Sequence, residues 1–574
     1  MKKKSTSAYC ARIIDLLVNF ELMFIHLFIN MKRIVAVASV VLFAQVLVAQ
    51  NRPKLVVGIV VDQMRQEYLY RYESKFVPNG FRRLMNEGFM LKNAHYSYVP
   101  TETGPGHATI FTGTTPAIHG IVANEWYDRS LKVEVNCVND PKQKPIGTDV
   151  GGTVSPWRLL STTITDELKL ASQQRAKVVG VSLKDRGAVL PAGHMADGAY
   201  WYDGTTGNMI TSTYYYDTLP NWVQKFNELK LADKYLNQEW NTLLPIEQYV
   251  EAGPDDSPYE GKWKGKDKPT FPYNLTELRK QMGVFNLLTM TPWGNTIIGD
   301  FAKSTLVEEG LGKDEITDFL TISFSSTDII GHAMGPNAVE LEDTYLRLDR
   351  TLEDLFVTLD KEVGKGAYTV FLTADHGVAE VPQYMIDERV PAGYFRPAYV
   401  EANLIEHLQK YFPGKKIIDR MSTEQVYINQ EAFGTDLRSS GIDLLIATEL
   451  ITNFLLKAEG VAQVFSSSVL RQAAFGEEGM RGKVVRGFNA KRCGDIAFVL
   501  EPGWLAWNGV TGSTHGSSYS YDTHVPVLFY GTGIKKGSSS QFHTITDIAP
   551  TLSVLLKIKF PSGTTGQPVT EILD

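Results

Sequence analysis

The segment Lys54-Leu55-Val56-Val57-Gly58-Ile59-Val60-Val61-Asp62 is a continuous apolar run that ends on a carboxylate. An alternating pattern would mark a strand with one wet face, whereas an uninterrupted run marks a strand buried on both faces, as in the middle of a parallel sheet. The pattern recurs as Phe319-Leu320-Thr321-Ile322-Ser323-Phe324 ahead of Asp328, and as Tyr368-Thr369-Val370-Phe371-Leu372-Thr373 ahead of Asp375. Pro526-Val527-Leu528-Phe529-Tyr530-Gly531 is a fourth such strand. Helical patterns lie between them, notably Glu340 to Leu359, so the expected fold is α/β, a doubly wound and mostly parallel sheet. Ligands of such sheets bind beyond the carboxyl ends of the strands, where these acidic residues fall.

Two regions break the rhythm. Residues 200–300 are rich in Trp, Tyr, Pro and Asn, and residues 390–500 mix helices with short strands. Both read as insertions that form a cap beside the site, leaving the core to residues 50–199, 301–389 and 501–574. No internal repeat or low-complexity stretch is visible.

The chain has 574 residues, 43% hydrophobic and 21% charged, with a formal net charge of −7. The first 49 residues hold six Lys/Arg and two Asp/Glu, so they carry +4 and the remainder carries −11. An acidic body argues against a nucleic-acid surface, which needs basic groups for the phosphate backbone.

The N-terminus reads as an export signal behind an unusual prefix. Met31-Lys32-Arg33 is a basic start, Ile34 to Val48 an apolar stretch, and Leu47-Val48-Ala49 a small-residue cleavage site that would leave Gln50 first. Residues 1–30 look like an extension from an upstream mis-start, and residues 31–49 form the signal. A single membrane anchor is the alternative, but Asp15 and Glu21 interrupt the earlier apolar residues and the second run is short for a span. The expected location is periplasmic or secreted, with no stable membrane span after cleavage. With Cys10 removed, Cys137 and Cys493 remain; they could pair in an oxidising compartment, but spacing does not show it.

Four strand ends carry the candidate chemistry. Asp62 closes the first strand, Asp328-x-x-x-His332 begins past the second, Asp375-His376-Gly377 ends the third, and His515 lies in Thr514-His515-Gly516. Each motif alone is weak. Together, three carboxylates and three imidazoles without thiolate suit a pair of zinc ions. Thr101-Glu102-Thr103-Gly104-Pro105-Gly106-His107 then puts a hydroxyl at the start of a helical stretch, where free N–H groups favour an anion. Thr103 alone would read as a helix cap; beside a metal ion its hydroxyl becomes an alkoxide nucleophile. Lys184 and Arg186, two apart, would share a face in extended backbone and offer a point charge and a bidentate fork to phosphate. Without the other motifs they would read as a solvated pair bracketing Asp185. Asn124 can donate to a further oxygen. His95, His107, His119, His194 and His524 are read as structural.

In this order the motifs resemble the alkaline phosphatase superfamily, most closely its phosphate-irrepressible (PafA-type) branch, from Asp62 to Asp547-Ile548-Ala549-Pro550-Thr551-Leu552. The resemblance implies an alkaline phosphatase hydrolysing small-molecule phosphate monoesters through a phospho-threonine. It implies one zinc ion (Zn2+) on Asp328, His332 and His515, and a second on Asp62, Asp375 and His376 with Thr103 beside it. Asn124, Lys184 and Arg186 match the family's phosphate contacts. A sulfatase is disfavoured because Thr103 cannot become formylglycine and no Arg follows Pro105. A nucleotide pyrophosphatase/phosphodiesterase is the serious alternative, since Thr103-Gly104-Pro105-Gly106-His107 resembles that group's Thr-Phe-Pro-Asn-His. A metal-bound surface module without catalysis is the remote one.

Overall fold

The computed structural model describes residues 12–32, 52–434 and 437–573. The chain divides into two compact units, Met1–Arg52 and Pro53–Asp574. In the first, Arg12–Lys32 forms one helix of 21 residues, long and apolar enough to cross a membrane. Asp15 and Glu21 thus lie within a continuous apolar helix instead of breaking one. The apolar stretch 34–48 and its cleavage site lie outside the described residues.

The second unit is built on a ten-stranded sheet. In chain order its strands are β1 (Leu55–Val61), β2 (Phe89–His95), β3 (Pro145–Ile146), β4 (Val178–Ser182) and β5 (Gly198–Asp203). They continue as β6 (Asn208–Ser212), β7 (Asp318–Phe324), β8 (Tyr368–Thr373), β9 (Val527–Gly531) and β10 (Gly537–Thr544). The spatial order is β10-β2-β9-β8-β1-β7-β4-β5-β6-β3. β1 pairs in parallel with β7 on one side and β8 on the other, and every residue of all three is buried.

β9 is the exception to the expected strand direction. It runs antiparallel to both β8 and β2, and β6 likewise opposes β5. The Pro526–Gly531 run looked like its neighbours because burial on both faces imposes the same apolar sequence in either direction.

Side-chain alternation along β7 shows how both faces are covered. Phe319 meets Phe111 of helix α1 (Thr103–Thr112), and Ser323 lies against Gly187 of helix α2 (Asp185–Ala192). On the opposite face, Phe324 approaches helix α3 (Pro292–Glu308) at Gly299, where Thr351 of helix α5 (Val339–Leu359) also packs. Between them, helix α4 (Ser326–Met334) leaves the end of β7. This is the α/β double winding.

The 200–300 segment contributes the end of β5, all of β6 and the start of α3; residues 213–291 between them hold short helices and a two-stranded pairing of Tyr273–Asn274 with Glu239–Trp240. The 390–500 segment carries a separate four-stranded sheet from Ile418–Ser422, Gln425–Ile428, Val461–Ser466 and Ile496–Leu500. That sheet has its own apolar cluster around Phe395, Leu404, Ile451 and Phe498.

Candidate active site

The spatial order β8-β1-β7-β4 aligns four parallel strands, and each releases a candidate residue just past its carboxyl end. β1 runs into Asp62 and β8 into Asp375-His376. β7 turns into α4, whose first turn carries Asp328; His332, four residues on, lies above it on the same helix face. β4 leads to Lys184. His515 arrives from a loop and is held there by Nδ1–H donation to the Thr101 carbonyl at 2.7 Å.

Six residues converge as two groups, Asp328, His332 and His515, and Asp62, Asp375 and His376; within each, the ligand atoms lie within 4.8 Å of one another. In the first, Asp328 Oδ1 is 3.1 Å from His332 Nε2 and 3.6 Å from His515 Nε2. In the second, His376 Nε2 is 3.5 Å from Asp62 Oδ1 and 3.8 Å from Asp375 Oδ2. All three imidazoles are oriented alike. His332 and His376 donate Nδ1–H to the carbonyls of Ser513 and Gly377 at 2.8 and 2.9 Å, so in each ring Nε2 presents its lone pair.

The donor set fits metal ions. Asp62 Oδ1, Asp375 Oδ2 and His376 Nε2, one atom from each member of the second group, are buried with no hydrogen-bond partner among the described residues. Buried polar atoms are almost always satisfied, so three orphans facing one point mark a cation site. Charge says the same. Burial pushes the Asp62 carboxyl up to about 8, and the like charges of Asp328 and Asp375 add to the shift. Against burial, His332 and Lys184 hold Asp328 well below the carboxylate range, and His376 and His107 do the same for Asp375. Three carboxylates in one dry cleft require compensating positive charge. Oxygen and nitrogen donors without sulfur suit divalent transition metals.

Lys184 spans the two groups. Its Nζ donates to Asp62 Oδ2 at 2.8 Å, to Asp328 Oδ2 at 2.6 Å, and to Thr103 Oγ1 at 3.4 Å. Thr103 is buried at the first position of α1, and Glu102, not Thr103, is the cap residue. Asn124 occupies the same helix start: its Oδ1 accepts the Gly104 N–H at 2.7 Å, and its own N–H donates to Glu102 Oε2 at 2.6 Å. One free helix N–H is thereby satisfied and the Asn124 NH2 group remains a donor.

One local expectation is corrected. Lys184 and Arg186 do not share an extended segment: β4 ends at Ser182, Lys184 is still extended as the cap residue of α2, and Arg186 is already in the first turn of that helix. A two-residue offset reads as one face only if the strand continues, and here it stops. Arg186 still lies among the site's charges: burial opposes its ionisation, yet Cys137, Asp185, Asp62 and Asp328 keep its pKa raised. Its Nε is buried without a partner.

Gln63 was missed. Its side-chain NH2 donates to Asp328 Oδ1 at 2.7 Å and its backbone N–H to Asp375 Oδ1 at 3.2 Å, tying both ligand groups to β1. Its φ of 65° is left-handed, a strained conformation for glutamine. The signal available was its position directly after Asp62. Among the histidines read as structural, His107 supports the site. Its ring is 2.9 Å from both the Thr103 carbonyl and Ser323 Oγ, and 3.3 Å from Asp375 Oδ2. Elsewhere His95 stacks on His524 at 4.5 Å, His194 bonds Asp166 at 2.9 Å, and His119 bonds Thr109 at 3.1 Å. Cys137 and Cys493 are free, buried thiols, each pushed up by burial to about 12.

A phosphoesterase of the alkaline phosphatase superfamily is the class this fold and site define; the chain belongs to the type I phosphodiesterase / nucleotide pyrophosphatase family, whose model matches residues 56–519. It is 46% identical to alkaline phosphatase PafA of Elizabethkingia meningoseptica over 94% of this chain and 98% of that protein. It is 42% identical to alkaline phosphatase PhoV of Synechococcus elongatus, over 91% of this chain and 93% of that one. A protein of Myroides odoratus named calcium-transporting ATPase is 43% identical over 95% of this chain and 100% of its own length. A crystal structure of wild-type alkaline phosphatase PafA superposes with a TM-score of 0.87 at 45% identity, covering 91% of this chain and 99% of that one.

Proposed function

We propose that this chain is an exported alkaline phosphatase that hydrolyses small-molecule phosphate monoesters through a covalent intermediate on Thr103, with two zinc ions as cofactors. The observation that carries the reading is Lys184, whose single ammonium reaches both carboxylate groups and the Thr103 hydroxyl. A phosphoryl group seated there meets a nucleophile, a cation and a helix start together. Asp328, His332 and His515 would hold one zinc, and Asp62, Asp375 and His376 the other, with Thr103 beside it. Bound there, the ions would supply charge neutralisation and lower the pKa of oxygens placed next to them.

The steps of this chain's own residues follow. Thr103 Oγ1 passes its proton to solvent water and bonds to phosphorus as the ester P–O bond breaks, and the departing oxygen takes a proton back from solvent to leave as the alcohol. Water then attacks the phospho-threonine, a new P–O bond forms as the Thr103 O–P bond breaks, one proton of that water returns through solvent to Thr103 Oγ1, and inorganic phosphate leaves. Lys184, Arg186 and the Asn124 NH2 group hold the non-bridging oxygens, stabilising charge and orienting the group without covalent participation.

The family description names phosphodiesterases, so a diester substrate is the second reading. A monoester dianion has three free oxygens and a diester monoanion two. Two cations at one phosphate therefore favour the monoester. ATP also ends in a dianionic phosphoryl group, so its hydrolysis falls within the same chemistry. The insertions within 200–300 and 390–500 are the proposed cap. The deciding experiment compares kcat/KM on matched aryl phosphate monoesters and diesters with zinc present. A higher value on the diester would overturn the monoester reading.

A further inference from the structure

A cavity of about 390 Å³ opens beside the site. Segments 99–102 and 514–517, which flank Thr103 and contain His515, form its core side, and the four-stranded sheet of the 390–506 region forms the other. Its walls are apolar and aromatic, including Phe395, Phe488, Phe498, Leu500 and Trp504. A pocket of this size takes a drug-sized organic group, well beyond what phosphate needs.

Its charge is one-sided. Among the described residues, the side chains with formal charge along its lining are, apart from His515, both carboxylates, Glu102 and Glu424. Glu102 immediately precedes Thr103. Glu424 sits at the tip of the hairpin joining Ile418–Ser422 to Gln425–Ile428. The two turn residues, Thr423 and Glu424, have φ of 53° and 50°. Turns with two left-handed residues favour Asn-Gly, and a β-branched Thr there is costly. Such strain persists where the surroundings over-determine it and clusters at functional positions. Burial pushes Glu424 up to about 7, and the other influence on it is the like charge of Glu102, with no cation contributing. A carboxylate placed in an apolar, aromatic-walled space beside a second carboxylate repels anions. It complements a cation with an apolar body, which the aromatic faces also attract.

We propose that this cavity receives the alcohol portion of the substrate and favours phosphate monoesters whose alcohol is an apolar or aromatic body bearing an ammonium group. The proposal rests on the phosphomonoesterase reading and adds the substrate class. With phosphorus next to Thr103, the ester substituent passes His515 and Glu102 into the cavity, and its ammonium end meets Glu424.

The test uses the zinc-loaded full chain and two aryl phosphates of equal shape, para-(trimethylammoniomethyl)phenyl phosphate and para-neopentylphenyl phosphate. Comparing the wild type with Glu424→Gln cancels leaving-group electronics. The ratio of kcat/KM, cationic over neutral, is expected to be about tenfold higher in the wild type; equal ratios would overturn the proposal. A wild-type measurement covers failure of the variant to fold. With methyl phosphate as substrate, phenyltrimethylammonium should inhibit competitively at about a tenth of the concentration needed for benzyl alcohol or benzoate. Equal inhibition by all three would overturn it. Methyl phosphate and both aryl phosphates all left intact would refute the phosphomonoesterase reading itself, whereas turnover without charge discrimination refutes the cavity assignment alone.

Discussion

At the scale of the residue, the proposed chemistry turns on one hydroxyl and one ammonium. Thr103→Ala should fold and keep its metal while losing activity by several powers of ten, because the atom that bonds phosphorus is gone; Thr103→Ser should retain a measurable fraction. Trapping labelled phosphate on a residue other than Thr103 would sink the assignment. Lys184→Ala and Arg186→Ala should each cut monoester kcat/KM by about a hundredfold or more, since each ~1.4 kcal/mol of lost transition-state stabilisation is tenfold. Diester turnover should fall much less, so the ratio of the two collapses. The Lys184 variant needs a control. Its pairs with Asp62 and Asp328 are largely buried, and removing one partner leaves uncompensated charge. Its melting temperature should therefore be measured with zinc bound, and activity loss without loss of melting temperature marks the phosphate role.

At the scale of the element, α1 and the turn after β8 are locked together. A Cβ added at Gly106 in α1 would lie 2.3 Å from the Asp375 carbonyl oxygen, and backbone at that distance cannot give way as a flexible side chain would. Helix α1 and the Asp375-His376 turn therefore touch main chain to main chain. Gly106→Ala should push them apart, costing about 1–3 kcal/mol of stability and lowering both zinc content and kcat. A variant with wild-type zinc content and rate would show that the two elements are positioned independently.

At the scale of the whole molecule, a site assembled from four strand ends and a distant loop ties metal binding to folding. Chelation should abolish turnover and lower the melting temperature, and zinc should restore both better than magnesium, because the imidazole donors disfavour a hard oxygen-seeking ion. A ligand at a hundred times its Kd adds about 2.7 kcal/mol to stability, so calorimetry with and without zinc reads the coupling directly. Active protein without transition metal would refute the scheme. For export, sequencing the native protein's N-terminus should find Gln50 first; a mature chain retaining residues 1–30 would contradict the signal reading.

The double-wound sheet and the placement of the chemistry were legible because each rests on a local cause. Apolar runs such as Leu55–Val61 must be buried on both faces, and an acidic residue straight after such a run must emerge at a strand end. The family pattern also named six residues that the structure brings together as two groups, although they span Asp62 to His515. What the sequence could not carry depends on contacts between distant segments. Strand direction at Val527–Gly531 was hidden because burial does not encode polarity. The bend at Lys184 was hidden because a two-residue offset does not reveal where a strand stops. Gln63 gave no sign beyond its place after Asp62, since its role comes from donors aimed at Asp328 and Asp375, residues hundreds of positions away. Local periodicity and residue chemistry by themselves determined the core strands and the donor types, and the family resemblance supplied the candidate nucleophile. Only tertiary structure decided which atoms stand unsatisfied and face each other, and which cavity opens beside them, because those are properties of packing, to which residues far apart in the chain contribute together.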